Sequence, residues 1–251
     1  MDAKPALSPI RKWIVDELTK LLPTEASEIR SDTNGNLFRD WTGMTQETLE
    51  QIWVQEDTQR AINQIAAGKG DGTGQLKYQK RAAYSMQRAK DIIEARRQSH
   101  EESLKLMSGG KPFDVKSLIN ARVGTTTTCN AFLGIVVREA LAAGGLAPRG
   151  FSSFDLPKAG GNAWTWYPSG EKKPLPGDFY QVGTRGGRYE HVGIILDING
   201  ETWSTADSGQ GGPSSGYDAI KRKTRNSYTI MGWIDVDLFF ENWKSPAPIV
   251  K

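Results

Sequence analysis

The chain carries a single cysteine, Cys129, and two histidines, His100 and His191. Any thiol mechanism must therefore run through Cys129, and any imidazole mechanism through one of two positions. Cys129 stands at the head of the apolar run TCNAFLGIVV. At a helix start, backbone N–H groups and the positive end of the helix dipole favour thiolate over thiol, and a thiolate is the nucleophile that acyl transfer needs. A cysteine kept only for packing would sit inside such a helix, whereas the first turn exposes it. His191 opens the strand-like HVGIILDI, while His100 lies among charges in RRQSHEES and reads as an exposed helix residue. The chemistry on offer is attack by Cys129 with His191 as its base.

A third group should orient the imidazole. Asp207, Ser208 and Gln210 in TADSGQGG are the candidates. A two-residue turn at Asn199-Gly200 would set Ser208 opposite His191; a three-residue turn at Ile198-Asn199-Gly200 would set Asp207 there. Both turns suit these residues. A carboxylate balances the developing imidazolium, so Asp207 is preferred. Ser208 and Gln210 are kept as substrate contacts, together with Trp164 and Trp166 of NAWTWYP, a Gly/Pro-bounded loop suited to a substrate wall.

The elements that must hold these groups follow from patterning. Ser8-Pro9 starts a helix whose apolar face is Ile10, Trp13, Ile14, Leu18, Leu21 and Leu22, stopped by Pro23. A second helix is predicted from Thr45 to Gly68, with Leu49, Ile52, Trp53, Ile62 and Ile65 as its stripe, and a third over about 75–107 with a basic outer face that reads as solvated. GKGDGTG lacks the Gly-Lys-Ser/Thr ending of a phosphate-binding loop, and SGGKP (108–112) reads as a linker. Thr128 is predicted to cap a helix, apolar nearly all round and so buried on more than one side, that ends at Gly144-Gly145. Strand-like segments follow at 178–182, 191–198, 201–206 and 228–236, and KRKTR (221–225) reads as a solvated strand or loop end. A buried helix followed by an antiparallel meander is an α+β pattern. Three regions are expected: a helical segment 1–108 for delivery, docking or regulation, a hydrolase domain 109–244, and a tail 245–251.

The blocks TCNAFLGIVV, PGDFYQV and HVGIILD resemble, in that order, the three blocks of the NlpC-type papain-like cysteine peptidases, with the CHAP amidases as near relatives. The resemblance covers roughly 113–240. It implies a papain-like core with the cysteine-bearing helix packed on an antiparallel sheet. It also implies Cys129 as nucleophile and His191 as base, and CHAP relatives share the spacing to an acidic residue. Where the family usually reads Asp-Cys-Ser this chain reads Thr-Cys-Asn, and the backbone N–H of Cys129 is the natural oxyanion donor. The implied activity is cleavage of a peptidoglycan amide bond, in the stem peptide, with no metal or cofactor. Its rivals are a papain-like protease, deamidase or acyltransferase acting on a protein, and a non-catalytic wall- or partner-binding module.

A net charge of +3 is too balanced to imply nucleic acid, and one cysteine excludes an intramolecular disulfide or a multi-cysteine zinc site. No apolar stretch is long enough for membrane insertion. The N-terminus lacks the uninterrupted apolar segment and cleavage site of a signal peptide. The expectation is therefore synthesis in the cytoplasm and delivery by another route to the target-cell periplasm. This suits an antibacterial effector, for example of type VI secretion, with a secretion-apparatus component and an immunity protein as partners, and a phage lysis enzyme shares part of the pattern.

Overall fold

A computed structural model of the chain describes residues 6–53, 60, 64, 68–69, 98, 127–147, 151, 155–170, 172–183 and 189–244. Apart from Gln98, which is helical, the expected helix over 75–107 lies outside these residues, as do His100, the linker 108–112 and the tail 245–251. Among the described residues, no helix is long and apolar enough to cross a membrane.

The chain opens with α1 (Pro9–Leu21), where Ser8 caps the first turn by accepting from the Arg11 backbone N–H at 3.2 Å and Pro9 takes the first helical position. Strand β1 (Glu28–Arg30) and helix α2 (Gly35–Thr42) follow. After the undescribed stretch come α3 (Thr128–Ala143), α4 (Leu156–Gly160) and β2 (Trp164–Trp166). Strands β3 (Phe179–Gly183), β4 (Tyr189–Asn199), β5 (Thr202–Asp207), β6 (Ala219–Asn226) and β7 (Ile230–Ile234) lead to α5 (Val236–Lys244). The strands form one antiparallel sheet in the order β1-β6-β5-β4-β3-β7-β2. The α+β class expected from the patterning is the class observed.

Helix α3 buries Phe132, Leu133, Val136, Val137, Ala140 and Leu141, which explains its lack of a polar face. It packs on β4, as does α1, and Phe179 of β3 meets Phe239 and Phe240 of α5 edge-on. A second cluster combines Tyr180, Ile195, Trp203, Ile230 and Trp233, with Tyr167 and Val182 against it.

The division of the chain differs from the expected boundary at 108. The residues up to Thr45 cluster with Thr126–Gln210 and from Asp218 onward, while a second unit takes Gln46–Thr125 and Gly211–Tyr217. The physical cause is visible in α1 and β1. Ile14, Leu18 and Leu22 are fully buried, and β1 pairs with β6 through Ile29↔Ile220. Arg11 is buried among Asp178 at 2.6 Å, Asp235 at 2.7 Å and Asp237 at 2.6 Å. Asp178 is the acidic residue of the Pro-Gly-Asp turn. Its carboxylate also accepts from the Leu175 and Val236 backbone N–H groups, so this motif residue anchors α1 and α5 to the start of β3. In the second unit, residues 46–53 are helical, matching the expected start, and Leu49 and Trp53 are buried.

Two smaller readings are also corrected and one is narrowed. NAWTWYP is a 3-10 turn (Gly161–Ala163) running into β2, because the tryptophans pair with β7 through Trp164↔Ile234 and Trp166↔Gly232. KRKTR is a β6 segment and not a loop end: it pairs with β5 throughout and with β1 only at Lys221, and its side chains are half-buried apart from exposed Thr224. The α3 cap position is Thr127, not Thr128.

Candidate active site

Cys129 sits on the first turn of α3, and Thr127 at the cap position makes no side-chain cap bond. Thr128 turns its hydroxyl away, donating to Asp218 Oδ2 at 2.5 Å, and Asp218 in turn is tied to Ser31 through its backbone N–H. Thr127 Oγ1 lies 3.2 Å from Cys129 Sγ. The segment leaving β5 crosses the helix end so closely that a Cβ on Gly209 would come 3.2 Å from Thr128 Oγ1 and 3.6 Å from the Cys129 nitrogen. With φ at +77°, Gly209 also needs the left-handed conformation.

His191 lies just past a bulge. Val182 pairs with His191 but Gly183 pairs with Tyr189, which leaves Glu190 unpaired in β4. Such bulges re-aim neighbouring side chains. The His191 ring, 14% exposed, donates from Nε2 to Asp207 Oδ1 at 2.6 Å and lies close enough to the Cys129 thiol for each to shift the other's titration. With Nε2 committed to Asp207, Nδ1 is the nitrogen left for sulfur.

Among the three candidates for the third position, only Asp207 meets the ring as a partner. The Gln210 amide nitrogen stands 3.5 Å from Nε2 and donates to the Ser208 carbonyl at 3.2 Å, and Ser208 Oγ is buried with no partner. Neither expected hairpin register is the one observed. Asn199 pairs with Thr202 across a Gly200-Glu201 turn, and Leu196 forms a bulge that shifts the pairing to Ile195↔Thr205 and Ile194↔Ala206. Asp207 thus falls beside Gly193 rather than His191.

Asp207 is the hub of a network that the sequence reading missed. Its Oδ1 takes the His191 ring, Arg225 Nη2 at 3.1 Å and the Tyr180 hydroxyl; its Oδ2 takes the Thr205 hydroxyl at 2.6 Å and Arg225 Nε at 3.3 Å. Arg225 also lies over the Tyr180 ring. The one sequence signal for Arg225 is its alternation with Lys221 and Lys223 along β6, which a solvated strand shows equally well.

The electrostatics follow from these contacts. Burial alone would raise the Cys129 thiol, but the hydrogen bond and charge of His191, the Thr127 hydroxyl and the Val192 backbone N–H bring it below its usual 9.0. Burial would lower His191, yet Asp207 and Cys129 raise it to about 9. Burial likewise opposes the Asp207 charge and is overcome by His191, Arg225 and Thr205, which hold it well below the usual carboxylate range. Burial and the adjacent Asp207 charge keep the Tyr180 phenol a donor, far above its ordinary 10.0. Near neutral pH His191 is an imidazolium between the Asp207 carboxylate, itself paired with the Arg225 guanidinium, and a Cys129 thiol whose ionised form it favours.

No family model, curated protein or solved structure matches the chain. The case for the site rests on geometry. Trp164 and Trp166 sit elsewhere, lining a groove beside β2 that includes none of Cys129, His191 and Asp207.

Proposed function

We propose that the protein is a papain-like cysteine hydrolase of the NlpC type that cleaves an amide bond in the peptidoglycan stem peptide. The observation that carries the chemistry is the His191–Asp207 hydrogen bond at 2.6 Å together with the influence of His191 on the Cys129 thiol, which lies at the start of a buried helix. The substrate class comes from the sequence blocks that resemble this family.

In the reaction, the Cys129 thiolate adds to the amide carbonyl carbon. The oxyanion falls at the first turn of α3, where the Cys129 backbone N–H can donate to it. His191 passes its proton to the leaving nitrogen, the C–N bond breaks, and a thioester remains on Cys129. Neutral His191 then takes a proton from water, hydroxide adds to the thioester, and the thiolate leaves with a free carboxylate as product. Asp207 keeps the ring oriented and balances the imidazolium throughout.

The deciding experiment is digestion of purified sacculi, with mass spectrometry of the released fragments. New amine and carboxyl ends within the stem peptide are expected, and Cys129→Ala and His191→Ala should each abolish them, because nucleophile and base act as a unit. A Cys129 that reacts with alkylating probes while sacculi stay intact would redirect the reading to a protein substrate. The reading extends to an antibacterial effector acting in the target-cell periplasm. Export of the chain to the periplasm of a test bacterium should cause Cys129-dependent lysis, and cytoplasmic expression should be tolerated. Equal toxicity in both compartments would overturn the cell-wall target.

A further inference from the structure

The groove beside β2 has a volume of about 610 Å³ and is open at the surface, with walls that include Trp164, Thr165, Trp166, Ser169 and Lys172. That volume lies within the ordinary range for ligand sites, roughly 300–1,000 Å³. Strand β2 is the last of the sheet and lies three strands from β4. At ordinary strand spacing the groove is about 14 Å to the side of the strand bearing His191, so it is a separate place on the same sheet.

The two indoles form a firm wall. They meet edge-on with centroids 5.4 Å apart and planes at 88°. Trp164 is seated on Gly232, where an added Cβ would come within 2.4 Å of the ring. Its indole N–H is buried and has no acceptor, so the indole meets the groove with its ring and not with its donor. Thr165 and Ser169 add hydroxyl-bearing residues and Lys172 an exposed ammonium-bearing one. Among the described residues no leucine, isoleucine, valine or phenylalanine lines the groove, which gives an acyl chain or an amphipathic helix little to bury against. A pyranose ring has the complementary chemistry: an apolar C–H face to lie on an indole, a rim of hydroxyls that both donate and accept, and, in an acidic sugar ether, a carboxylate for Lys172.

We propose that this groove is a glycan-binding site that takes the sugar backbone of the wall polymer and so presents the attached stem peptide to Cys129. The proposal rests on the peptidoglycan reading for its ligand. The distances agree, since four extended residues span about 14 Å, the lateral offset between groove and His191 strand.

The test uses the full chain carrying Cys129→Ala, with calorimetric titration of glycan strands stripped of peptide and, separately, of free stem peptide. Glycan binding is expected, weakened about tenfold or more by Trp166→Ala and weakened more at low than at high salt by Lys172→Ala if an acidic sugar is held. Because Trp166→Ala removes packing from β2, Trp166→Phe serves as a second variant that keeps an aromatic face; it should retain most of the affinity. No binding of peptide-free glycan, or binding indifferent to both Trp166→Ala and Lys172→Ala, overturns the proposal. Glycan binding combined with intact sacculi in the digestion supports the groove and removes the wall-cleaving reading; sacculus cleavage without glycan binding removes the groove alone.

Discussion

Asp207 reaches His191 Nε2 at 2.6 Å from a position beside Gly193, not from the position opposite the histidine. Gly193 pairs with Tyr180 on its other side, so tyrosine, glycine and aspartate lie across three neighbouring strands. The absent side chain is what lets the Tyr180 hydroxyl and the Asp207 carboxylate meet. A Cβ on Gly193 would come 2.5 Å from Asp207 Oδ1 and 2.7 Å from the Tyr180 hydroxyl. Gly193→Ala should therefore push Asp207 off the imidazole, at a stability cost of about 1–3 kcal/mol, and lower kcat by about a hundredfold or more on the scale of losing imidazole orientation. Chemical denaturation and initial rates on solubilised muropeptides check the two effects; a fully active alanine variant would remove the glycine's role.

The pH dependence follows from the direction of each shift. Asp207 is held well below its ordinary 3.8, so its contribution to stability is fully present above that pH and is lost as pH falls through the lowered value. Denaturant midpoints of the native protein and of Asp207→Asn should therefore differ most near neutrality and converge in strong acid. Activity requires thiolate and imidazolium together. Its acid limb should lie below the ordinary thiol value of 9.0, and its alkaline limb should fall at about 9, where His191 loses its proton.

Arg225 and His191 place two cations on one oxygen, Asp207 Oδ1, at 3.1 and 2.6 Å. This geometry makes the two sides of the network separable. Asp207→Asn removes the largest influence raising the histidine, so the alkaline limb should move down. Arg225→Gln removes a positive neighbour of the imidazolium, so the limb should move up. The arginine variant should also lose roughly 3–5 kcal/mol, as buried ion pairs do when one partner is removed. Shifts in the same direction would mean that Arg225 acts only as packing.

How far the site could be read in advance depended on scarcity and on local pattern. One cysteine at the head of a helix without a polar face, and one histidine opening an apolar strand, are local signals that survive folding. Asp207 was accessible only through its chemistry. Counting along the hairpin from Asn199-Gly200 reaches the wrong partner, because the turn is Gly200-Glu201 and Leu196 bulges, and a one-residue bulge leaves the apolar pattern around it unchanged. Arg225 was hidden for a similar reason, since a cation in a run of cations carries no mark of burial. The placement of the N-terminal segment was hidden by distance along the chain. The apolar stripe of α1 is plain, but its partners Asp178, Asp235 and Asp237 lie more than 160 residues away, and β1 is only three residues long.

That segment yields the remaining expectation. A chain beginning at residue 109 would resemble a minimal hydrolase, yet it would lack α1, β1 and α2. It would uncover the apolar surface now occupied by Ile14, Leu18 and Leu22, worth roughly 2 kcal/mol for each side chain. It would also leave Asp178, 1% exposed, without the Arg11 guanidinium that neutralises it. Against a total stability of about 5–15 kcal/mol for a typical domain, these losses should prevent folding. Arg11→Ala in the full chain isolates the electrostatic part and should cost about 3–5 kcal/mol. Arg11→Lys should recover little of it, because one ammonium cannot reproduce the forked contacts to three carboxylates. Arg11→Met with Asp178→Asn should recover more, since no buried charge is then left unpaired. Far-ultraviolet dichroism and hydrogen exchange on the shortened chain, with urea midpoints for the point variants, measure each step. A shortened chain that folds and digests sacculi would show that α1 rests on the unit carrying Cys129 and His191 without holding it together.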